Sequence, residues 1–236
     1  MSARENSFGQ PIGPALPDWR PRPLPPREAM QGRTCRVEPL DAERHGADLF
    51  SAFSAAPDRR GWTYLGNTLP ETEGAYRAEL AAMAAGADPL FHAVVDAGTG
   101  RAVGIASYLR IDPANGVIEV GHLHFSALLA RRPAATEAMA LMMARAFDEL
   151  GYRRYEWKCD ALNAPSRAAA LRYGFTFEGV FRNAVVVKGR SRDTAWFSVT
   201  DAEWPRVRAA FGAWLAPDNF FEDGRQRRSL ADLRAG

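Results

Sequence analysis

Glu119, His122 and His124 share one apolar stretch, Val117-Ile-Glu-Val-Gly-His-Leu-His-Phe125, and all three can take up a proton. A partly buried carboxylate with a raised pKa accepts a proton directly or through water, and an imidazole titrates close to neutral pH. The plainer readings are a strand glutamate paired with a surface arginine and histidines packed against the rim. Alternation along a strand would put Glu119, Gly121 and Leu123 on one face and Val120, His122 and His124 on the other. Two imidazoles on one face invite a metal, but such sites need a third and often a fourth ligand. No nearby Cys/His/Asp cluster supplies one, so no metal is expected. A second stretch, Ala130-Arg-Arg-Pro-Ala-Ala-Thr136, leads into a helix whose unpaired N–H groups and positive dipole end suit a phosphate. Pro133 fits the first helical position but has no N–H to give, while the Arg131 and Arg132 guanidinium groups can bind phosphate oxygens directly. An ordinary helix start with two solvated arginines is the alternative.

These groups must be positioned by alternating strands and helices. A strand is predicted over Thr34–Pro39, a helix capped by Asp41 to about Ala55, and a second helix over Glu71–Ala85. Leu90–Val95, Ala102–Ile111 and Val117–Phe125 are joined by the turns Asp96–Gly100 and Asp112–Gly116, which gives an antiparallel meander. A long helix, Ala134–Leu150, closes at Gly151. A strand follows over Arg154–Cys159, then a helix over Ala164–Tyr173, a hairpin from Phe175–Lys188 and Thr194–Thr200, and an amphipathic helix from Asp201 bearing Trp204, Val207, Phe211 and Trp214. Asn163 can cap the short helix through its side-chain oxygen, and Gly174 can end it in a left-handed conformation.

Around that short helix the sequence runs Asn163-Ala-Pro-Ser166, Arg172-Tyr-Gly-Phe175 and Glu178-Gly-Val-Phe-Arg182. This closely resembles the N-x-x-S, (K/R)-x-G-F, E-G-x-x-R signature of GNAT acyltransferases, particularly the branch that includes ribosomal-protein N-acetyltransferases. The resemblance implies an α/β (α+β) fold, a mixed, mostly antiparallel sheet of six to seven strands with helices on both faces. It also implies an acetyl group moved from acetyl-CoA to a primary amine by direct attack. Acetyl-CoA would lie against the backbone of Leu123, His124 and Phe125, with its pyrophosphate at Arg131, Arg132, Ala134, Ala135 and Thr136, and Asn163 and Ser166 would complete that site. Glu119 matches a general-base position of some members, with His122 or His124 as the substitute. The family's phosphate motif, (Q/R)-x-x-G-x-(G/A), is met here by Ala130, Pro133 and Ala135, of which only the last fits well. The tyrosine that many members use to protonate the leaving thiolate is replaced by Ala170; Tyr173 is the nearby phenol, and an aromatic packed at the helix end is its plainer reading. Trp62, Tyr64 and Asn67 fall in the loop where the family builds its acceptor pocket, and they suit equally a loop pinned to the core. The acceptor is thus a protein N-terminus or a small amine, amino acid or aminoacyl compound. A weakly active CoA-binding module is the reading from a different class.

Composition bounds the rest. With 236 residues, 47% of them hydrophobic, the chain can bury one sizeable core. No apolar run is long enough to span a membrane and the start lacks a signal peptide's apolar core, so a cytoplasmic protein is expected. A net charge of +2 does not call for nucleic acid. Cys35 and Cys159 are too far apart in sequence to suggest a disulfide framework. Pro11, Pro14, Pro17, Pro21, Pro23, Pro25 and Pro26 mark residues 1–32 as an extended arm, disordered or wrapped on the surface. The catalytic domain is expected over 33–217, followed by an Arg-rich tail over 218–236. The chain is expected to be a monomer or a homodimer.

Overall fold

Local chemistry sets most element boundaries in the computed structural model, which describes residues 4–235. The arm carries strands β1 (Arg4–Glu5) and β2 (Pro11–Ile12), paired with each other, and β3 (Met30–Gln31). The body follows with β4 (Cys35–Pro39), α1 (Ala42–Ser54) and α2 (Glu73–Ala85). Asp41 accepts from the N–H groups of Glu43 and Arg44 to start α1, and Thr72 caps α2 through the Ala75 N–H. Strands β5 (Leu90–Asp96), β6 (Ala102–Asp112) and β7 (Val117–Phe125) form the meander. Both its turns are held by aspartates, Asp96 accepting from Thr99 N at 2.8 Å and Asp112 from Asn115 N at 3.0 Å.

The chain continues with α3 (Pro133–Ala144), β8 (Arg154–Asp160), α4 (Ala164–Arg172), β9 (Thr176–Val187), β10 (Arg190–Thr200), α5 (Trp204–Leu215) and α6 (Leu230–Ala235). The expected single helix to Leu150 instead widens after Ala144 into a π turn over Arg145–Glu149. That turn holds the buried Arg145, whose guanidinium binds Glu28 O at 2.6 Å and Glu149 at 3.0 Å.

The main sheet has eight strands in the order β3-β4-β5-β6-β7-β8-β10-β9. It exceeds the expected six to seven because the arm's β3 pairs with β4 at one edge. Every pairing is antiparallel except β7 with β8. One face is covered by α3, α4 and α5 through Met139, Met142, Met143, Ala170, Phe211 and Trp214. On the other, Leu49 and Phe53 of α1 and Tyr76 and Leu80 of α2 pack on Phe91, Ala93 and Ile105. Each fully buried side chain of this size is worth about 1.5–3 kcal/mol, so both faces hold the sheet.

The arm lies against the body, with Trp19 Nε1 donating to Ala114 O at 2.8 Å and the Tyr152 hydroxyl to Pro23 O at 3.1 Å. The boundary expected at Pro217 is not a break in packing. Leu230 is buried, Trp214 Nε1 donates to Gln226 at 2.7 Å, and Arg234 donates to the last carbonyls of α4 at Leu171 and Arg172. Gly174, at φ +97°, turns the chain out of α4, and a Cβ there would sit 3.0 Å from Val207.

Candidate active site

Strands β7 and β8 run in parallel register from Val117 opposite Arg154 to Val120 opposite Trp157, and then separate. Both continue past that point, to Phe125 and Asp160, so the facing edges beyond it are not paired with each other. A cavity of about 290 Å³ opens there, lined by Glu119, His122, Leu123, Trp157, Lys158, Cys159, Asn163, Ser166 and Arg192, with Tyr64 and Leu65 from the loop before α2. A neighbouring apolar cavity of about 250 Å³ lies against α2 and is lined by Trp62, Asn67, Tyr76, Met83, Phe91, Ile105 and His124. Leu65, Gly66 and His122 line both.

His122 is where the expected alternation fails. Gly121 pairs with Ser107 but His124 pairs with Ile105, so one extra residue of β7 sits against β6, and His122 has a left-handed φ of +49°. The bulge reverses the phase of the strand. Glu119 faces Leu109 and His124 faces Ile105, positions four apart on a regular stretch of β6, so the carboxylate and the imidazole share one sheet face. The prediction of opposite faces is therefore corrected.

The three titratable groups differ in surroundings. Glu119, only 3% exposed, is bound by Arg110 Nη1 at 2.7 Å and Lys158 Nζ at 2.9 Å. It is a paired carboxylate and not one isolated among apolar side chains. Lys158 also binds Glu156 at 2.7 Å and lies 3.8 Å from the centre of the Trp196 ring. His124 stacks on Phe53 at 4.1 Å with its edge met by Trp62, and burial pushes its pKa down to about 4. It is a neutral packed ring. His122 accepts or donates through Nδ1 to the Ser107 hydroxyl at 2.8 Å, and burial with the nearby Arg110 cation lowers its pKa, so it too is neutral at pH 7. Burial raises the Cys159 thiol, which opposes a thiolate role in the cavity.

Asn163 and Ser166 face the cavity while holding the fold. The Asn163 oxygen accepts from Ser166 N at 3.1 Å, and the Ser166 hydroxyl accepts from Trp157 Nε1 at 3.0 Å. Tyr173 is elsewhere. It is buried between Trp157 and Phe211, and neither cavity includes it. Its position at the end of α4 turns it into the core, the packed arrangement that is its plainer reading and not that of a phenol beside a leaving group in either cavity.

At the start of α3, Arg131 and Arg132 are exposed and join Arg33, Phe220 and Gly224 around a separate opening. Ala134, Ala135 and Thr136 point into the core instead, and Thr136 accepts from Arg172 at 3.1 Å. The Ala135 N–H is taken by Arg132 O, so this helix start offers fewer free donors than the sequence suggests. Phe125 and Leu123 pack toward the α3 face, and of the two only Leu123 borders the polar cavity.

Sequence reading missed the roof. Lys188, at the tip of the β9–β10 hairpin, donates to Trp62 O at 2.8 Å, and Arg190 donates to Thr63 O at 2.9 Å. The Tyr64 hydroxyl donates to Leu162 O at 3.2 Å. These bonds tie the loop before α2 over the cleft. It also missed Glu137, which accepts from the N–H groups of Arg33, Thr34 and Cys35 and fixes the entry to β4.

A sheet with helices on both faces, whose two parallel strands part around a cleft, is the architecture of an acetyltransferase. The chain matches the family described as Acetyltransferase (GNAT) domain over residues 36–176, and it belongs to that family. A GCN5-related N-acetyltransferase from Brucella melitensis is 50% identical, with a TM-score of 0.91 over 94% of this chain and 100% of its own. A probable acetyltransferase of the GNAT family from Chromobacterium violaceum is 44% identical, with a TM-score of 0.77 over 83% and 98%. The Salmonella typhimurium acetyl transferase that modifies the N-terminal serine of a ribosomal subunit protein shares the fold at 17% identity, with a TM-score of 0.61 over 73% and 99%. A search of curated proteins gave no match. Among the described residues no helix is long and apolar enough to cross a membrane, and no cluster of three or more potential metal ligands is found.

Proposed function

We propose that this protein transfers an acetyl group from acetyl-CoA to the nitrogen of a primary amine without a covalent enzyme intermediate. The observation that carries the reading is the parting of β7 and β8 after Val120 and Trp157, which leaves a strand edge facing a cavity. An extended pantetheine arm carries amide groups that can pair with such an edge. The thioester would then reach the bulge at His122, where backbone N–H groups around Leu123 to Phe125 polarise its carbonyl. Arg131 and Arg132 would meet the pyrophosphate.

The amine nitrogen attacks the carbonyl carbon, the C–S bond breaks, and CoA leaves as a thiolate. The nitrogen loses its proton as the new bond forms, and His122 is the acceptor we assign. Its ring is neutral at pH 7 and borders both cavities, whereas Glu119 is held by two cations. The thiolate takes its proton from solvent, since Ala170 offers none and Tyr173 lies in the core.

Thiol release from acetyl-CoA across a panel of primary amines tests this, read beside calorimetry with CoA. Turnover with at least one amine and saturable CoA binding are expected. CoA binding without release for any amine would replace the enzyme reading with that of a binding module.

A further inference from the structure

Of the cations lining the polar cavity, Arg192 is the one without an ion pair among the described residues; Asp160, which lines it too, accepts from Leu162 N at 2.9 Å and likewise forms no ion pair. Arg110 pairs with Glu119, and Lys158 with Glu119 and Glu156. Arg192 makes no ion pair among the described residues, and its Nε is buried without a hydrogen-bond partner. Asp193 beside it is occupied, accepting from Asn183 N at 2.7 Å. The register of β10 against β9 shifts between Arg192 and Thr194, an irregularity of the kind that re-aims a side chain. A buried guanidinium nitrogen without a partner is costly, and a ligand anion would supply the missing acceptor.

On the other side of His122 the lining changes character. Trp62, Tyr76, Met83, Phe91 and Ile105 surround the cavity of about 250 Å³, joined to the polar one through Leu65, Gly66 and His122. One ligand reaching both would carry an anion at one end, an apolar group at the other and its reacting nitrogen between them. The roof formed by Lys188 and Arg190 on Trp62 and Thr63 narrows the outer side. These are small spaces beside the ~300–1,000 Å³ of typical ligand sites, and an extended peptide has no free carboxylate next to its terminal amine.

Resting on the acetyl-transfer reading above, we infer that the acceptor is a small α-amino acid with a large apolar side chain. Its carboxylate binds Arg192, its amine faces His122 and its side chain fills the apolar cavity. The reaction consumes the amino acid in its ammonium form and acetyl-CoA, and yields the N-acetyl amino acid, CoA thiol and one proton.

The test uses the full chain with saturating acetyl-CoA and compares L-phenylalanine, L-phenylalaninamide, phenethylamine, glycine and a short peptide beginning with phenylalanine. L-Phenylalanine should exceed its amide in kcat/KM by roughly 10–100-fold, the worth of a hydrogen-bonded charge pair. R192Q should bring that acid-to-amide ratio to about one, with acetyl-CoA affinity and the melting curve close to wild type, and R192K should restore part of it. M83W, which fills the apolar cavity, should lower the preference for phenylalanine over glycine. Equal rates for acid and amide in the wild type, faster turnover of the peptide, or an unchanged ratio in R192Q would overturn the inference. If no amine is acetylated, calorimetry with L-phenylalanine on the CoA-bound protein separates the two readings. Binding that R192Q abolishes keeps the acceptor site and removes only the transfer reading, while no binding removes both.

Discussion

The two sides of the cleft are built from different materials. The proposed donor side is mostly backbone, the parted edges of β7 and β8 and the bulge at His122, with Arg131 and Arg132 at the start of α3 as its side-chain part. The proposed acceptor side is a set of side chains from segments distant in sequence, with the roof bond from Lys188 to Trp62 spanning 126 positions. A site made of backbone follows from the fold and tolerates side-chain change. At the start of α3, where Pro133 has no N–H and the Ala135 N–H is taken by Arg132 O, the proposed donor site relies on the side chains of Arg131 and Arg132. A site made of side chains depends on each contact, so its variants should alter selectivity and leave donor binding alone.

The sharpest test of that division lies where the sides meet, at His122. H122Q should lower kcat by roughly 10²–10⁴-fold, the usual worth of a general base, with little change in acetyl-CoA affinity. Because burial and Arg110 lower the His122 pKa from 6.5, its protonation removes activity only below that pH, and the acid limb of kcat should lie there. E119Q is the comparison. It leaves Lys158 bound to Glu156 but breaks the buried pair of the carboxylate with Lys158, a change of the class that costs about 3–5 kcal/mol, along with a contact to the exposed Arg110. Its main effect should be on the melting temperature. Steady-state kinetics giving E119Q the larger loss of kcat, in a protein of normal stability, would move the proton acceptor to Glu119.

Next in size is the donor side alone. Replacing Arg131 and Arg132 together with alanine should weaken CoA binding about 10–100-fold, from lost charged hydrogen bonds to phosphate. Calorimetry with a folded double mutant checks it, and unchanged affinity would place the pyrophosphate elsewhere. The roof gives the matching test on the acceptor side. K188M removes the bond to Trp62 and should raise the acceptor KM by about 3–10-fold, the equivalent of one ordinary hydrogen bond, with the CoA Kd unchanged. A rise in the CoA Kd instead would mean that the hairpin tip serves both sides.

How far the sequence discloses this molecule follows the same division. The Asp41 cap and the two aspartate turns of the meander were legible because a short polar side chain bonds backbone only two or three residues away. The Asn163 cap was legible for the same reason. The bulge at His122 was not, since a single extra residue leaves the apolar pattern of β7 looking regular and no glycine marks the left-handed position. The pairing of Glu119 with Lys158, the unpartnered Arg192 and the roof were also hidden, because each arises only when separate strands or loops are brought together. That Tyr173 packs was legible from its place at the helix end, but its partner Phe211 was not, because α5 comes to it from a distant segment.

The smallest expected effect distinguishes fold from ligand at a residue that serves the backbone and also faces the cavity. Asn163 caps α4 through the Ser166 N–H, and Ser166 in turn accepts from Trp157, one of the last β8 residues still paired with β7. N163A should therefore cost about 0.5–2 kcal/mol of stability through the lost cap. Any further effect depends on whether the cap also orders the cleft. If it does, the rise in melting temperature on adding CoA should be smaller in N163A than in wild type, since a weaker ligand stabilises less at a given concentration. We expect a modestly reduced shift, because Asn163 lines the same cavity as Trp157 and Ser166. A lowered baseline with a full CoA shift would show that this residue supports the fold alone. The donor side would then be backbone even where the sequence signature is strongest.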